Sequence, residues 1–427
     1  MKVAFCTLGC KVNQYESQSM EQALIKRGFE CVGASEEADV YIVNSCTVTA
    51  ESDRKTRQNV RHLRKLHPDA VIVLTGCMPQ AFPEDARLLT QADIVTGNRS
   101  NKQIPDMIDE FFRTRERIVR IAQHENGEKF SGELINDFRE RTRATVKIED
   151  GCNRFCSYCV IPYARGRVRS KPLEDIREEI SSLEKKGFSE IVLVGINLSA
   201  YGTDCGASIC DAVELAASFD GIKRVRLGSL EPDHMTPDVT KRLAECKKLC
   251  PQFHISLQSG CDKTLKRMNR HYTAAEYEEL CTRLRSEFED ATLTTDVMVG
   301  FSGETKEDFE ISRDFVKKIG FEKVHVFPYS RRAGTRAAEF PDVVENAEKE
   351  RRSREMIAAA GEVRHEFLER QIGRTVEVLF EEKLRDGSIQ GYTANYTPVR
   401  IKSGCTHGLR KVKITACSDD WCEGELI

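Results

Sequence analysis

The chain has 427 residues, of which 31% are charged and 40% hydrophobic, and its formal net charge is −3. These values are typical of a globular protein of two or three domains, and they exclude a uniformly basic nucleic-acid-binding protein, so any basic surface must be local. No uninterrupted apolar run approaches the roughly 18 to 20 residues of a membrane span, and we expect no membrane partner. Seventeen cysteines without a signal peptide predict a cytoplasmic protein whose cysteines are thiols or metal ligands.

The first part of the chain alternates between strand-like and helix-like patterns. The predicted strands are Val3–Thr7, Val40–Asn44, Ala70–Thr75 and Asp93–Thr96, and the predicted helices cover residues 17–27 and 51–66. Apolar strands separated by helices indicate a parallel sheet that is buried on both faces. In such a sheet, the loops after the carboxyl ends of the strands form the ligand-binding crevice.

A cysteine follows each of three predicted strands. Cys10, Cys46 and Cys77 stand about one strand–helix repeat apart, so this fold would bring together three thiols that are distant in sequence. Each of them taken alone is more often a small buried apolar residue. Taken together at equivalent strand ends, they predict a cluster site with three thiolate ligands and one open position.

The centre of the chain contains a second set of three cysteines. Residues 116–137 have turn signals and are predicted to be a linker, and a strand is predicted at Ala144–Ile148. Cys152, Cys156 and Cys159 then stand within eight residues. This arrangement suits a polynuclear iron–sulfur cluster, and because such clusters usually have four thiolates, one iron would be open to another ligand. The alternative is a structural zinc loop or three buried thiols, but zinc normally has four ligands and no second C-x-x-C pair follows.

Basic residues surround this cysteine loop. From Arg139 to Lys171 there are nine Lys and Arg residues against three Asp and Glu residues, in a chain that is acidic overall. A run of charge is usually only a solvated surface, but here it brackets the proposed reaction centre and favours a phosphate-rich substrate. We therefore predict that Arg165, Arg167 and Arg169 contact nucleic-acid phosphates.

The region that follows again alternates between strands and helices. Counting the strand before the cysteine loop, the predicted strands are Ala144–Ile148, Ile191–Gly195, Val225–Leu227, His254–Leu257, Thr294–Val299 and Lys323–Phe327. Helices are predicted at residues 173–186 and 274–288, and a charged helix at residues 345–370. Six strand–helix units predict a partial (β/α) barrel with its site at the carboxyl ends of the strands.

The last segment has a different pattern. Val376–Phe380, Ser388–Tyr392, Thr397–Arg400 and Lys411–Cys417 are rich in β-forming residues and are separated by turns. They predict a small antiparallel β-barrel. Cys405, Cys417 and Cys422 have no paired spacing, and we interpret them as incidental thiols.

Several stretches along the whole chain resemble the radical S-adenosylmethionine (SAM) methylthiotransferase family. They are TLGCKVNQYES, VNSCTV, TGCMPQ, GCNRFCSYCVIPYARGRVRS, FHISLQSGCDKTLKRMNRHYT, TTDVMVGFSGET and HVFPYSRRAGTRAAE. The resemblance implies an α/β protein of three domains: an N-terminal parallel-sheet, flavodoxin-like domain over residues 1–115, a radical-SAM core of partial (β/α)6 type over residues 138–370, and a C-terminal RNA-binding barrel of the TRAM type over residues 371–427. Ser302 departs from the family, which often has proline at this position.

The resemblance also implies cofactors and a reaction. Cys152, Cys156 and Cys159 would hold the [4Fe–4S] cluster that cleaves SAM to a 5′-deoxyadenosyl radical, which removes hydrogen from C2 of an adenine. Cys10, Cys46 and Cys77 would hold a second [4Fe–4S] cluster that carries the sulfur to be inserted, and a second SAM would supply the methyl group. The residues expected to bind SAM are Tyr158, Gly195, Asn197, Glu231 and Gln258. An electron donor such as flavodoxin or ferredoxin and a sulfur source would be further partners.

Within the family, LGCKVNQYES and HVFPYSRRAGTRAA resemble the subgroup that modifies N6-threonylcarbamoyladenosine at position 37 of tRNA, in the anticodon stem-loop. The threonyl group ends in a carboxylate, which needs a cation, and we predict that Arg331, Arg332 or Arg336 binds it. The alternative for these arginines is contact with tRNA phosphate. Two other functions are a sister enzyme acting on isopentenyladenosine in tRNA or on a ribosomal-protein side chain, and a non-catalytic iron–sulfur regulator that binds RNA.

Overall fold

The computed structural model describes residues 1–132, 134–135, 142–404 and 408–427. The predicted incidental thiol Cys405, the basic residues Arg139 and Arg141, and the predicted start of the core at residue 138 lie outside these ranges. Among the described residues, every helix is too short or too polar to cross a lipid bilayer.

The N-terminal part is a parallel α/β sheet. Its strands are β1 (Lys2–Thr7), β2 (Glu30–Val32), β3 (Val40–Ser45), β4 (Val71–Gly76), β5 (Ile94–Thr96) and β6 (Ile118–Arg120), and its helices are α1 (Lys11–Lys26), α2 (Ala50–Leu66), α3 (Cys77–Ala81), α4 (Pro83–Arg87) and α5 (Ile104–Thr114). The strand order is β2–β1–β3–β4–β5–β6, which begins with the 2-1-3-4-5 order of flavodoxin-like folds. All residues of β3 and β4 are buried, and a separate apolar cluster covers each face of the sheet.

The central part is an arc of parallel strands surrounded by helices. Its strands are β7 (Arg143–Lys147), β8 (Glu149–Asp150), β9 (Arg169–Ser170), β10 (Glu190–Val194), β11 (Arg224–Leu227), β12 (Ser229–Leu230), β13 (Gln252–Ile255), β14 (Thr292–Val299) and β15 (Lys323–Pro328). Its helices are α6 (Ile161–Arg165), α7 (Leu173–Lys185), α8 (Ile209–Ala217), α9 (Pro237–Ala244), α10 (Asp262–Arg267), α11 (Ala274–Glu287), α12 (Lys306–Ile319) and α13 (Asn346–Glu369). The parallel sheets β11–β10–β7 and β12–β13–β14–β15 enclose the largest apolar core of the described residues, and β8 and β9 form a small antiparallel pair.

The C-terminal part is a closed five-stranded barrel. Its strands are β16 (Thr375–Lys383), β17 (Ile389–Thr393), β18 (Pro398–Ile401), β19 (Leu409–Cys417) and β20 (Cys422–Leu426), in the order β16–β17–β18–β20–β19. The barrel contacts residues at the starts of the central strands: Arg143 pairs with Glu381 at 2.5 Å, and Arg224 Nη2 donates to the Glu377 carbonyl at 3.0 Å. It therefore lies at the edge of the central sheet opposite the carboxyl ends of its strands.

These elements confirm the predicted α/β fold class with a small terminal β-barrel, and they add elements that the pattern did not predict. Among these added elements, strands β2, β6 and β20 are short or contain charged residues, so they lack a clear alternation. Because β6 pairs with β5, residues 118–120, predicted as part of the linker, belong to the N-terminal sheet. Helix α1 begins at Lys11, earlier than predicted. The residue before it, Cys10, makes no side-chain capping hydrogen bond, so the sequence has no capping residue that would mark this start.

Candidate functional site

Cys10, Cys46 and Cys77 follow three adjacent strands, and the side chain of Asn13 contacts the first and the third of them. Asn13 Oδ1 lies 3.8 Å from the Cys10 sulfur and 3.9 Å from the Cys77 sulfur. Its amide nitrogen donates to the Leu8 carbonyl at 2.8 Å and to the Ser45 carbonyl at 2.9 Å, so one residue of α1 ties together the loops after β1 and β3. We call these three cysteines the N-terminal triad.

Two glycines allow these loops to approach one another. Gly9 has φ +100°, and a Cβ there would stand 2.7 Å from Cys46 Cβ. Gly76 has φ +97°, and a Cβ there would stand 2.5 Å from the backbone of Ser45. Only glycine suits both the left-handed backbone and the close contact. The glycines beside Cys10 and Cys77 therefore serve the convergence of the thiols.

Cys152, Cys156 and Cys159, the central triad, lie in the loop between β8 and α6. The Ser157 amide donates to the Met268 carbonyl at 2.9 Å, and the Ala337 amide donates to the Ser157 carbonyl at 2.7 Å, so the loop is held from two sides. Burial and the neighbouring Cys156 raise the pKa of Cys152 to about 12. Burial likewise raises the pKa of Cys77 to about 12, although the Arg165 charge opposes this shift.

Each triad supplies three cysteine thiols, so the fourth ligand of a zinc ion or of a four-thiolate cluster would have to come from another group. Among the described residues, no group of three or more His, Cys, Asp or Glu side chains is arranged to hold a metal ion. Four thiolates around one zinc stand only about 3.8 Å apart, because the Zn–S bond is about 2.3 Å and the geometry is tetrahedral. A cluster of several irons accepts thiolates that are further apart. A zinc ion bound by three cysteines therefore stays the alternative to a cluster at each triad.

The two triads are joined by helix α6. This helix begins two residues after Cys159 and packs against α3, whose first residue is Cys77. At its end, the Arg165 Nε donates to the Cys77 sulfur at 3.2 Å, and its Nη2 donates to Asn13 Oδ1 at 2.7 Å. The carboxyl ends of the N-terminal and central sheets thus face the same cleft.

Arg165 belongs to a buried charge network that crosses between the two sheets. Its guanidinium binds Glu16 of α1, and Lys147 Nζ contacts Glu16 at 2.8 Å and Asp150 at 2.7 Å. The positive neighbours lower the pKa of Asp150, although burial alone would raise it. Arg169 extends the network, with Nη2 at 3.5 Å from Asp150. Each charge in this set has an opposite charge beside it.

This network corrects the predicted phosphate-binding row. Arg165 and Arg169 are buried, and their guanidinium groups are bound by carboxylates and carbonyls of the protein. RNA phosphates therefore cannot reach them, and the prediction is wrong for these two residues. Arg167 is exposed, and its guanidinium carbon lies 4.6 Å from the centroid of the Phe155 ring.

Polar side chains at the ends of the central strands retain unused hydrogen-bonding atoms. Within the described part of the chain, Glu149 Oε1, Asn197 Oδ1 and Gln258 Oε1 are buried without a hydrogen-bond partner. Burial raises the pKa of Glu149 well above its usual range, and its other oxygen accepts from the Asn197 amide at 2.7 Å. A Cβ at Gly195 would stand 2.5 Å from that oxygen. Buried polar atoms are normally satisfied, so these three fit a ligand with amino or hydroxyl groups, such as SAM.

Glu231 and Tyr158 flank the same loop. The Glu231 carboxylate binds Arg270, whose Nη1 donates to the Cys156 sulfur at 3.3 Å. The half-buried Tyr158 ring stands edge-on to Phe301, with centroids 6.3 Å apart. Contacts of Gly195, Asn197, Glu231, Gln258 and Tyr158 with SAM remain predictions.

The three arginines after β15 have different environments. Arg332 is buried, donates to Thr47 Oγ1 at 2.8 Å and to Asp53 Oδ2 at 2.5 Å, and lies 5.0 Å from the Phe82 ring centroid. The predicted role of Arg332 in substrate binding is therefore corrected, because its charge is used to hold the loop of Cys46. Arg331 and Arg336 are exposed, although Arg331 Nε donates to the Ala338 carbonyl at 2.5 Å.

Several residues of the site were not predicted as functional. They are Asn13, Glu16, Lys147, Glu149, Asp150 and Arg270. Asn13 and Glu16 lie within the matched stretch TLGCKVNQYES, three and six residues after Cys10, and Arg270 lies within the matched stretch that ends in MNRHYT. For these three residues, the position within a matched motif was the signal of a functional role. The contacts they make with distant segments cannot be seen in one sequence.

Comparisons with known proteins agree with this architecture. The profile of the Radical SAM superfamily matches residues 146–316, and that of Uncharacterized protein family UPF0004 matches residues 2–97. The chain is 35% identical to the threonylcarbamoyladenosine tRNA methylthiotransferase MtaB of Bacillus subtilis, covering 100% of this chain and 96% of the relative. It is 37% identical to the MtaB of Thermotoga maritima, covering 98% of each. It is also 36% identical to the tRNA-2-methylthio-N(6)-dimethylallyladenosine synthase of Carboxydothermus hydrogenoformans, covering 99% of this chain and 98% of the relative.

Among solved structures, the fold is similar to that of the radical S-adenosylmethionine methyltransferase TsrM from Kitasatospora setae, with cobalamin and a [4Fe–4S] cluster bound. The TM-score is 0.57 at 15% identity, covering 80% of this chain and 73% of that one. At this identity the similarity concerns the fold alone.

Proposed function

This chain belongs to the radical-SAM methylthiotransferase family, and on that premise we propose that it converts N6-threonylcarbamoyladenosine in tRNA to its 2-methylthio derivative. The enzyme is a transferase that uses SAM and an iron–sulfur cluster, and its substrate is tRNA. The target is adenosine 37, beside the anticodon.

The observation that carries the proposal is the convergence of two cysteine triads on one cleft. Inserting sulfur at a carbon needs one centre to remove hydrogen and another to deliver sulfur, and both must reach the same atom. Helix α6 follows the central triad and packs on the helix that begins with Cys77, so a base in the cleft would lie between the two. A regulator without catalysis would not need this arrangement.

We assign one [4Fe–4S] cluster to each triad. When bound, the central cluster with SAM would supply radical chemistry that removes hydrogen, and the N-terminal cluster would supply sulfur. The chain's own residues hold the ligands in place: Asn13 fixes the loops of Cys10 and Cys46, and Arg270 and Ser157 fix the central loop. The unpartnered oxygens of Glu149, Asn197 and Gln258 would bind the amino and ribose groups of SAM. A flavodoxin or ferredoxin would supply electrons, and a separate donor would supply sulfur.

Recognition of the threonyl carboxylate needs a cation that the protein does not already use. A carboxylate buried without a partner is strongly disfavoured, so an apolar pocket would reject this substrate. With Arg332 bound to Asp53, the exposed Arg331 and Arg336 remain for this role. The dimethylallyladenosine enzymes, whose identity to this chain is similar, make isopentenyladenosine the second candidate substrate.

The test uses reconstituted protein with SAM, reductant, sulfide and two tRNAs, one carrying threonylcarbamoyladenosine and one isopentenyladenosine. We expect mass spectrometry to detect a 2-methylthio nucleoside in the first tRNA alone. Replacing Arg331 or Arg336 with glutamine should weaken binding of the threonylcarbamoyl substrate more than that of the unmodified tRNA. Product from the isopentenyl tRNA alone would assign the sister activity, and product from neither would contradict the proposal.

A further inference from the structure

One aromatic ring near the site is unusually accessible. Tyr163 is 52% exposed, and it is the one exposed aromatic side chain in the part of the chain that the structure describes. A single exposed apolar side chain is common, but one that forms a contiguous surface with other side chains beside a cleft marks a binding surface. Tyr163 lies on α6, the helix that separates the two triads.

Two further side chains join this ring. Phe155, between Cys152 and Cys156, stands edge-on to Tyr163 with the ring centroids 5.8 Å apart. The Arg167 guanidinium covers the Phe155 ring at 4.6 Å. Among the described residues, this guanidinium forms neither a hydrogen bond nor an ion pair, in contrast to the buried Arg165 and Arg169. We call Phe155, Tyr163 and Arg167 the aromatic rim.

The backbone at the rim is held in an uncommon conformation. Phe155 has φ +49°, in the left-handed region that bulky residues seldom adopt. The Asn269 side chain fixes it by donating to the Phe155 carbonyl at 3.1 Å. Such conformations persist where the surrounding structure enforces them, and they are concentrated at functional sites. The ring is thereby fixed at the cleft.

We infer that the aromatic rim stacks on a nucleobase next to the target adenosine in the single-stranded anticodon loop. The inference rests on the proposed function and adds a binding site for a second base. An adenine that enters a cleft between two clusters must leave its stack, and its neighbours lose a stacking partner. Proteins that bind single-stranded RNA replace that partner with aromatic rings and arginine planes, and each base contributes about 1 to 3 kcal/mol.

The charge of the rim also fits RNA. An exposed guanidinium beside two rings provides a cation for the phosphate next to the stacked base, while the rings contact the base itself. A docking surface for an acidic electron-transfer protein is the other class of partner that such a surface would suit. The experiment distinguishes the two.

The experiment measures binding of an anticodon stem-loop RNA that carries threonylcarbamoyladenosine, by fluorescence anisotropy on the reconstituted protein. In matched RNAs, the nucleotide on either side of the target is replaced in turn by an abasic residue. We expect Tyr163→Leu to bind the intact RNA roughly fivefold to a hundredfold more weakly. It should bind one of the abasic RNAs as well as the wild type does. Tyr163→Phe should keep the wild-type affinity, since the hydroxyl is not needed for stacking.

A matched control is Ile311→Ala, which removes a side chain that is also about half exposed, on α12 of the central domain. It should bind all RNAs like the wild type. Arg167→Gln should flatten the slope of log affinity against log salt by about 0.7, the value for one single-strand phosphate contact. Iron content and SAM cleavage are measured in parallel for each variant.

Three results would overturn the inference. One is equal weakening of Tyr163→Leu on the intact and both abasic RNAs, which would indicate a general defect. Another is wild-type RNA affinity in Tyr163→Leu combined with slower reduction by flavodoxin, which would assign the surface to a protein partner. The third is unchanged behaviour in every assay. The proposed function is judged separately, by whether the wild-type protein methylthiolates the same RNA.

Discussion

At the scale of single residues, burial decides what the arginines near the cysteines do. Arg165 and Arg167 are two positions apart in one basic stretch, and counting charges predicts the same role for both. The structure places Arg165 inside against Cys77 and Arg167 outside against Phe155. The sequence could predict that cations surround the cleft. It could not predict which of them pair internally, because Glu16 and Arg165 are far apart in the chain and meet only after folding.

The contact of Arg165 with the Cys77 sulfur leads to a redox prediction. Positive charge and hydrogen bonds at a cluster sulfur raise the reduction potential of the cluster. In Arg165→Met alone, the buried Glu16 carboxylate loses one of its two cationic partners. Breaking a buried ion pair in this way lowers the free energy of unfolding by roughly 3 to 5 kcal/mol. The double variant Glu16→Gln/Arg165→Met removes both charges together. We expect it to fold and to lower the potential of the N-terminal cluster by tens of millivolts.

The potential is measured by electron paramagnetic resonance during a redox titration. The titration uses protein that also carries alanine at Cys152, Cys156 and Cys159, so that one cluster contributes the signal. A potential equal to that of the parent with Glu16 and Arg165 intact would show that this arginine does not tune the cluster.

At the scale of elements, the long apolar strands and their carboxyl-end loops were predictable, since buried parallel strands have continuous apolar runs. Strand β20, with the sequence CEGEL, was not, because glutamate and glycine disfavour strands outside a tertiary context. The loops could be placed at one edge of a sheet, but their mutual contacts could not. The loop after β15 contacts the loop after β3 through Arg332, and the Ala50 amide donates to Ser330 Oγ at 3.0 Å.

That contact predicts local loosening when Arg332 is changed. Arg332→Gln should raise amide hydrogen exchange of residues 46–53 roughly tenfold to a hundredfold, because hydrogen bonds to charged groups contribute about 1.5 to 3 kcal/mol. Exchange in the terminal barrel should not change. The adjacent Arg331→Gln is the control, since Arg331 is exposed and donates within its own loop. Equal protection of residues 46–53 in both variants would show that Arg332 does not hold the loop.

At the scale of the whole molecule, the carboxyl ends of the N-terminal strands face the carboxyl ends of the central strands. The terminal barrel lies at the opposite edge of the central strands. The order of the three parts was predictable from their patterns. Their arrangement was not, because it depends on buried pairs such as Arg165 with Glu16 and Arg143 with Glu381. Each of these pairs joins segments more than a hundred residues apart.

Two triads on separate scaffolds predict two independent metal centres. Anaerobically reconstituted protein should contain about eight irons, and replacing Cys152, Cys156 and Cys159 with alanine should leave about four. Replacing Cys10, Cys46 and Cys77 should leave the other four. Iron and sulfide analysis measures the content, and circular dichroism confirms folding. An unchanged iron content in either triple variant would exclude that triad as a ligand set.

The charge network between the two sheets has a consequence for protein engineering. Asn13 and Glu16 come from helix α1 of the N-terminal part, while Lys147, Asp150 and Arg165 come from the central part. A chimera that joins the first part of one relative to the rest of another would combine half of one network with half of a different one. Each unmatched buried charge would cost several kcal/mol, which is a large share of the stability of a typical domain. These five residues must therefore be exchanged as a set, and substrate preference is transferred more safely by grafting the exposed Arg331 and Arg336.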